Sequence, residues 1–395
     1  MSKPVGTGGK AVLTIGHMAG MIDLVALPLW VGGLMQYYHF APEQAGLTVT
    51  VFLLGMMASS AVLAPLFNRL PRRQIAAVGY AVAALGFAII ARQPVGVGSL
   101  STMALLHGMA GLGAGSGLSL VHGSMGRTDN PHRLFALVNL AAAVLGIIVF
   151  ATVPGLIARH GASILFIVLS AVMGVAALFS ALAFPDVGGA DVPPAAAQIE
   201  PTADRVSKLI WVPIVVVMCL TLNQAMIFAF VERIGAARSF TPGQVQMTLV
   251  WLGFVNLVPG PLAALLQKRL SPMSVGIVGP LCQGLLALTL SNSTSFLPYA
   301  LATAVYVSVV IFSHTFLFGL LSRLDPSGRA VSATPAMTMI GSCLGPALAG
   351  FVVAGVGYQA LGYVACAVAA VAALLMLWLR IHLRGATREN RHLFA

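Results

Sequence analysis

A carboxylate in an apolar run is the residue of this sequence best placed to do chemistry. Asp23 lies in Gly16-His17-Met18-Ala19-Gly20-Met21-Ile22-Asp23-Leu24-Val25-Ala26-Leu27-Pro28-Leu29-Trp30, inside the first long apolar segment. It reads as the only acidic residue deep within any such segment. A charge at a bilayer centre costs roughly 2.5–3.5 kcal/mol on insertion scales, so a carboxylate kept there faces a cavity or a partner. The chemistry open to it is reversible binding of a proton or a cation. On a helical step of 100°, Gly16, Gly20, Asp23, Leu27 and Trp30 share one stripe, with the glycines leaving room beside the carboxylate. The plainer alternative is a structural Asp tied to a neighbouring helix.

The elements that must position Asp23 follow from composition. The 395 residues are 58% hydrophobic and 8% charged, with a mean hydropathy of +0.95. Soluble domains carry about 25% charged residues. The chain is therefore all-α and membrane-integral, because its apolar runs reach the length of spanning helices rather than of barrel strands. Twelve spans are expected: 11–38, 43–68, 74–92, 99–125, 134–158, 162–184, 209–234, 243–267, 273–292, 297–322, 330–355 and 358–381. Seventeen of the 21 Lys and Arg fall in one set of loops and termini, and only Arg92, Arg159, Arg233 and Arg238 in the other. The positive-inside rule places the richer set, with both termini, in the cytoplasm, and the expected location is the inner membrane. The net charge of +11 is then topological and does not imply nucleic acid. No Lys or Arg is left for a helix centre.

The halves repeat. Phe40-Ala41-Pro42-Glu43-Gln44 matches Phe240-Thr241-Pro242-Gly243-Gln244, and Thr48, Leu66 and Arg69-Leu70 meet Thr248, Leu266 and Arg269-Leu270 at the same offset of 200 residues. Asp23 falls opposite Asn223, beside Gln224. The expected organisation is an N-terminal six-helix half over 1–184, a Pro- and Ala-rich cytoplasmic linker over 185–208, and a C-terminal half over 209–395 with a short basic tail. Two pseudo-symmetric halves of this kind place a solute site at their interface. Cys219, Cys282, Cys343 and Cys366 stand at no metal-ligand spacing, and no two histidines on one segment are four apart. No metal site or cofactor is expected. Nor is an enzyme: there is no phosphate loop, no paired carboxylates and no nucleophile–base spacing.

The loop after the second span reads Ala64-Pro65-Leu66-Phe67-Asn68-Arg69-Leu70-Pro71-Arg72-Arg73. It resembles the loop motif G-x-L-a-D-r-x-G-r-[KR] of the major facilitator superfamily, with Asn68 where the family has Asp. Span four, His107-Gly108-Met109-Ala110-Gly111-Leu112-Gly113-Ala114-Gly115, is similar to the family pattern R-x-x-x-G-x-G-x-G, with His107 in place of Arg. The antiporter motif of span five is absent, and a related pattern occurs at Gly341-Ser342-Cys343-Leu344-Gly345-Pro346 in span eleven.

The resemblance implies a secondary transporter in which spans one, four, seven and ten line a cavity. His17, Trp30, Asn223, Gln224, Tyr306 and His314 become candidate solute contacts, with His122 also on a lining span. Asp23 and His107 become the proton-coupling pair, since His titrates near neutrality where Arg does not. Asn68, Arg69, Arg72 and Arg73 become the gating loop. Without a mid-membrane cation, the expected cargo is a neutral, cationic or zwitterionic small organic solute, moved with protons by alternating access across a lipid bilayer. The chain is expected to act as a monomer. Asp23 before Ala26-Leu27-Pro28 loosely resembles multidrug efflux proteins. The alternatives are uptake of a nutrient or metal chelate, facilitated or proton-driven, and a membrane sensor that transports nothing.

Overall fold

The structure, a computed structural model, describes residues 5–94, 99–161, 163–187, 208–325 and 334–385. Most of the linker read over 185–208 and the tail from 386 onward lie outside the described residues. Among the described residues there are fourteen α-helices and no strand. They are α1 Thr7–Gly20, α2 Ile22–Gln36, α3 Pro42–Leu63, α4 Arg72–Ile90, α5 Leu100–Met125, α6 Pro131–His160, α7 Ser163–Ala183, α8 Trp211–Ala237, α9 Pro242–Val255, α10 Pro259–Leu266, α11 Pro272–Asn292, α12 Phe296–Leu324, α13 Thr334–Val356 and α14 Tyr358–Gly385. They make twelve helical segments long and apolar enough to cross a membrane, α1–α2 together forming Thr7–Gln36 and α9–α10 forming Pro242–Leu266. The protein is an all-α, multi-pass membrane protein built as two pseudo-symmetric six-span halves. Backbone contacts divide it into the units Met1–Val192 and Pro193–Ala395.

The repeat reaches the backbone. Among the described residues, His39 (φ 56°) and Ser239 (φ 60°) are the two non-glycine residues with positive φ, and they occupy the same repeat position. Two residues later the backbone N–H of Ala41 donates to Gln44 Oε1 at 3.0 Å and that of Thr241 to Gln244 Oε1 at 2.9 Å. Each bond satisfies a donor that a helix start leaves unpaired. Thr48 and Thr248 then bond back to the Gln44 and Gln244 carbonyls. One local sequence thus folds one corner twice.

The halves also differ. The first span, expected to be a continuous helix, breaks at Met21 (φ −106°, ψ 14°), whereas its counterpart α8 is unbroken. Pro28 inside α2 has no N–H for the Leu24 carbonyl, and an Asp near a helix start competes for free backbone N–H groups. In the C-terminal unit the break falls instead between α9 and α10, immediately before Pro259.

Glycines set the helix spacing. A Cβ on Gly79 of α4 would lie 2.7 Å from the Gly113 carbonyl oxygen of α5, and one on Gly55 of α3 would lie 2.6 Å from that of Gly108. The glycine pattern of span eleven does similar work: a Cβ on Gly345 would lie 2.6 Å from the backbone N of Met226, so α13 rests on α8 there. The stripe glycines of span one, expected to open space beside Asp23, are filled by protein. A Cβ on Gly16 would lie 2.7 Å from Val121, and one on Gly20 would lie 2.7 Å from Leu118. They seat α1 against α5.

Candidate functional site

Asp23 is the second residue of α2, just past the break, and is 8% exposed. Its carboxylate lies near the backbone N–H groups of Leu24 and of its own residue. Oδ1 is buried and has no hydrogen-bond partner. The break thus places Asp23 in the first turn of α2 with one carboxylate oxygen buried and unpaired.

His107 and Trp30 meet, but away from Asp23. Trp30 Nε1–H donates to His107 Nε2 at 2.9 Å, and His107 Nδ1–H donates to the Met103 carbonyl at 2.7 Å. Trp30 can only donate and the carbonyl can only accept, so the ring is fixed as the neutral Nδ1–H tautomer. Both nitrogens are taken, and neither is left for Asp23, the partner expected for it. Phe52 and Phe87 close around Trp30 at centroid distances of 4.9 and 5.3 Å, and both Trp30 and His107 are fully buried. The arrangement joins α2 to α5 as a polar bond inside an aromatic core.

His17 meets a second histidine. Its Nδ1 lies 3.0 Å from His122 Nε2 on α5, while its Nε2 is buried without a partner. In the C-terminal unit Asn223 Nδ2 donates to the Ala365 carbonyl at 2.9 Å, and Tyr306 donates to the Asn223 carbonyl at 2.8 Å. Asn223 Oδ1 has no partner. Gln224 is half-buried, and His314 stacks on Phe318 with its Nε2 buried and unpartnered.

The basic loop is built around an aromatic ring. The guanidinium groups of Arg72 and Arg127 lie 5.2 and 4.9 Å from the centroid of Phe67. Asn68 Oδ1 accepts from Arg127, Arg72 pairs with Asp186 at 3.2 Å, and Arg73 Nε donates to the Ala181 carbonyl at 2.7 Å. The backbone N–H of Arg69 donates to the Leu66 carbonyl at 2.8 Å. Burial, and then the charge of Arg72, hold the Arg127 guanidinium below its ordinary pKa.

The profile of the Major Facilitator Superfamily matches residues 12–334. The chain belongs to this superfamily. Solved superfamily transporters share its fold. A point mutant of the nucleoside transporter NupG superposes with a TM-score of 0.74 at 14% identity, covering 94% of this chain and 99% of that one. The partially occluded, inward-open xylose transporter XylE from E. coli gives 0.69 at 15% identity, covering 94% and 97%. A bacterial homologue of the human lysosomal transporter Spinster, inward-facing and unoccupied, gives 0.66 at 12% identity, covering 96% of each chain. No curated protein sequence matches. Superfamily membership makes the chain a transporter by type rather than an enzyme.

Sequence reasoning missed a second carboxylate. Glu232 lies five residues inside α8, in the span Trp211–Ala237, with a buried and unpartnered Oε2, and the adjacent Arg233 has a buried, unpartnered Nε. The expected span ended at 234, which put both residues at its edge; the helix runs on to Ala237. Glu43, the second residue of the span Pro42–Leu63, likewise has a buried, unpartnered Oε2; both glutamates lie near span ends, and Asp23 is set deeper in its span Thr7–Gln36. Among the described residues no three His, Cys, Asp or Glu gather as a metal cluster.

Proposed function

We propose that this superfamily member is a secondary transporter that moves a small organic solute by alternating access, with proton coupling at Asp23. The observation that carries the reading is the buried carboxylate with one unpartnered oxygen at the break of the first span. Such a group is costly to keep in a membrane without a use. His107 takes no part in the proton step in this reading, since protonating Nε2 would set two N–H groups head to head with Trp30. The bias of basic residues supports an inner-membrane location with cytoplasmic termini. The amides, hydroxyls and imidazoles of the spans support a neutral, cationic or zwitterionic cargo, and the Asp23–Pro28 stretch favours export.

The test is flux in proteoliposomes with and without a pH gradient, over a panel of solutes from those three classes. Asp23→Asn is expected to fold, to lose accumulation driven by the gradient, and to keep exchange down a solute gradient. Full gradient-driven transport by a well-folded Asp23→Asn variant removes Asp23 from the mechanism. A second reading rests on the carboxylate's nearness to its own backbone: Asp23 holds the helix break, and transport is facilitated without protons. It predicts that Asp23→Asn lowers stability first, with flux indifferent to the gradient in both proteins.

A further inference from the structure

We propose that His17 and His122 form a binding site for one late first-row divalent metal ion, of the class of Co2+, Ni2+ or Zn2+. The two residues are 105 positions apart in sequence and come from α1 and α5. Their facing nitrogens, His17 Nδ1 and His122 Nε2, are 3.0 Å apart, with ring centroids at 5.2 Å and ring planes inclined by 35°. In such a pair one nitrogen gives a proton and the other a lone pair. With the proton removed, two lone pairs converge on one gap. A tetrahedral ion with bonds of about 2.0–2.1 Å holds two ring nitrogens about 3.3–3.4 Å apart, so the gap has to open by only about 0.3–0.4 Å.

A second observation points the same way. His17 Nε2 is buried and has no partner. When Nδ1 binds a metal, the ring proton moves to Nε2 and needs an acceptor, the usual outer support of a ligating histidine. Asn139 of α6, an exposed residue, stands near enough to His17 to act on it and is the side chain available to supply that acceptor. Phe135 stands edge-on to His122 at 5.6 Å and supplies an apolar wall. No carboxylate or thiolate completes the set among the described residues, so water or a solute donor fills the remaining positions. Two imidazoles select borderline ions over Mg2+ and Ca2+, which require oxygen.

The experiment uses the untagged full-length protein in detergent, with Co2+ as the probe. One equivalent is expected to bind with the visible absorption of a low-coordinate site, and Mg2+ is expected to give no signal. His17→Gln and His122→Gln should each abolish that equivalent, Asn139→Ala should weaken it about tenfold, and the exposed His160→Gln and His382→Gln should leave it in place. Cu2+ electron paramagnetic resonance on the unsubstituted protein reads the ligands without depending on any variant, and splitting from two imidazole nitrogens is expected. Absence of Co2+ binding overturns the proposal. So does an equivalent that persists in a folded His122→Gln protein, or a Cu2+ spectrum without nitrogen splitting.

Discussion

Trp30→Phe separates a structural from a proton-carrying role for His107. The substitution keeps an aromatic ring among Phe52, Phe87 and Phe166 but removes the N–H that His107 Nε2 accepts at 2.9 Å. Nε2 becomes a buried acceptor with nothing to accept from, at a cost of about 1–3 kcal/mol. The phenyl ring also leaves part of the indole volume empty at a fully buried position. Complete removal to Ala costs about 3–5 kcal/mol in such a core, so this partial truncation adds about 1–2 kcal/mol. The expected loss is therefore about 2–5 kcal/mol, read from denaturant unfolding of the purified protein. Adding His107→Leu removes the stranded acceptor along with its donor. The double variant should then lose less than the sum of the two single losses, by about 0.5–3 kcal/mol. The pH profile of transport by whatever Trp30→Phe protein folds should match that of the parent. A variant as stable as the parent, with a shifted pH profile, refutes the reasoning and returns His107 to the proton path.

Gly79→Ala drives a Cβ to 2.7 Å from the Gly113 carbonyl oxygen; α4 and α5 must part, and unfolding measurements should show a loss of about 1–3 kcal/mol. Gly174→Ala meets nothing within 4 Å and should be neutral or stabilising by up to about 1 kcal/mol, a contrast that distinguishes packing from helix propensity. Asn68→Asp turns the bond to Arg127 into a charge-assisted one. Its gain of about 0.2–1 kcal/mol at low salt should vanish near 1 M salt, where the screening length falls to about 3 Å; a gain that survives high salt means the contact is not electrostatic.

The spans and their repeat were legible because each is written locally. Twenty apolar residues specify a span wherever they occur, and Phe-x-Pro-x-Gln specifies its turn and helix start at Pro42 and again at Pro242. What was not legible depends on pairs. His17 finds His122 across 105 residues and Trp30 finds His107 across 77, and no spacing within a segment encodes either meeting. The break at Met21 was partly visible in Pro28, but the proline lies seven residues downstream of it, and the stripe drawn through Asp23 assumed one continuous helix. Glu232 was misplaced for a smaller reason. The helix runs three residues past the expected end, which sets Glu232 five residues from the end of α8 rather than two.

The repeat also says what is particular about Asp23. At the same repeat position Asn223 uses its Nδ2 to hold the Ala365 carbonyl of α14. An ionised carboxylate has acceptors only and cannot make that bond. Asp23 instead lies in the first turn of α2, just past the break at Met21, beside its own backbone N–H and that of Leu24. A proton on Oδ1 changes this balance. It gives Asp23 the donor that Asn223 already has and that the ionised carboxylate lacks. In the proposed proton-coupled cycle, gain and loss of that donor is the two-state change at Asp23 that a coupled transporter requires.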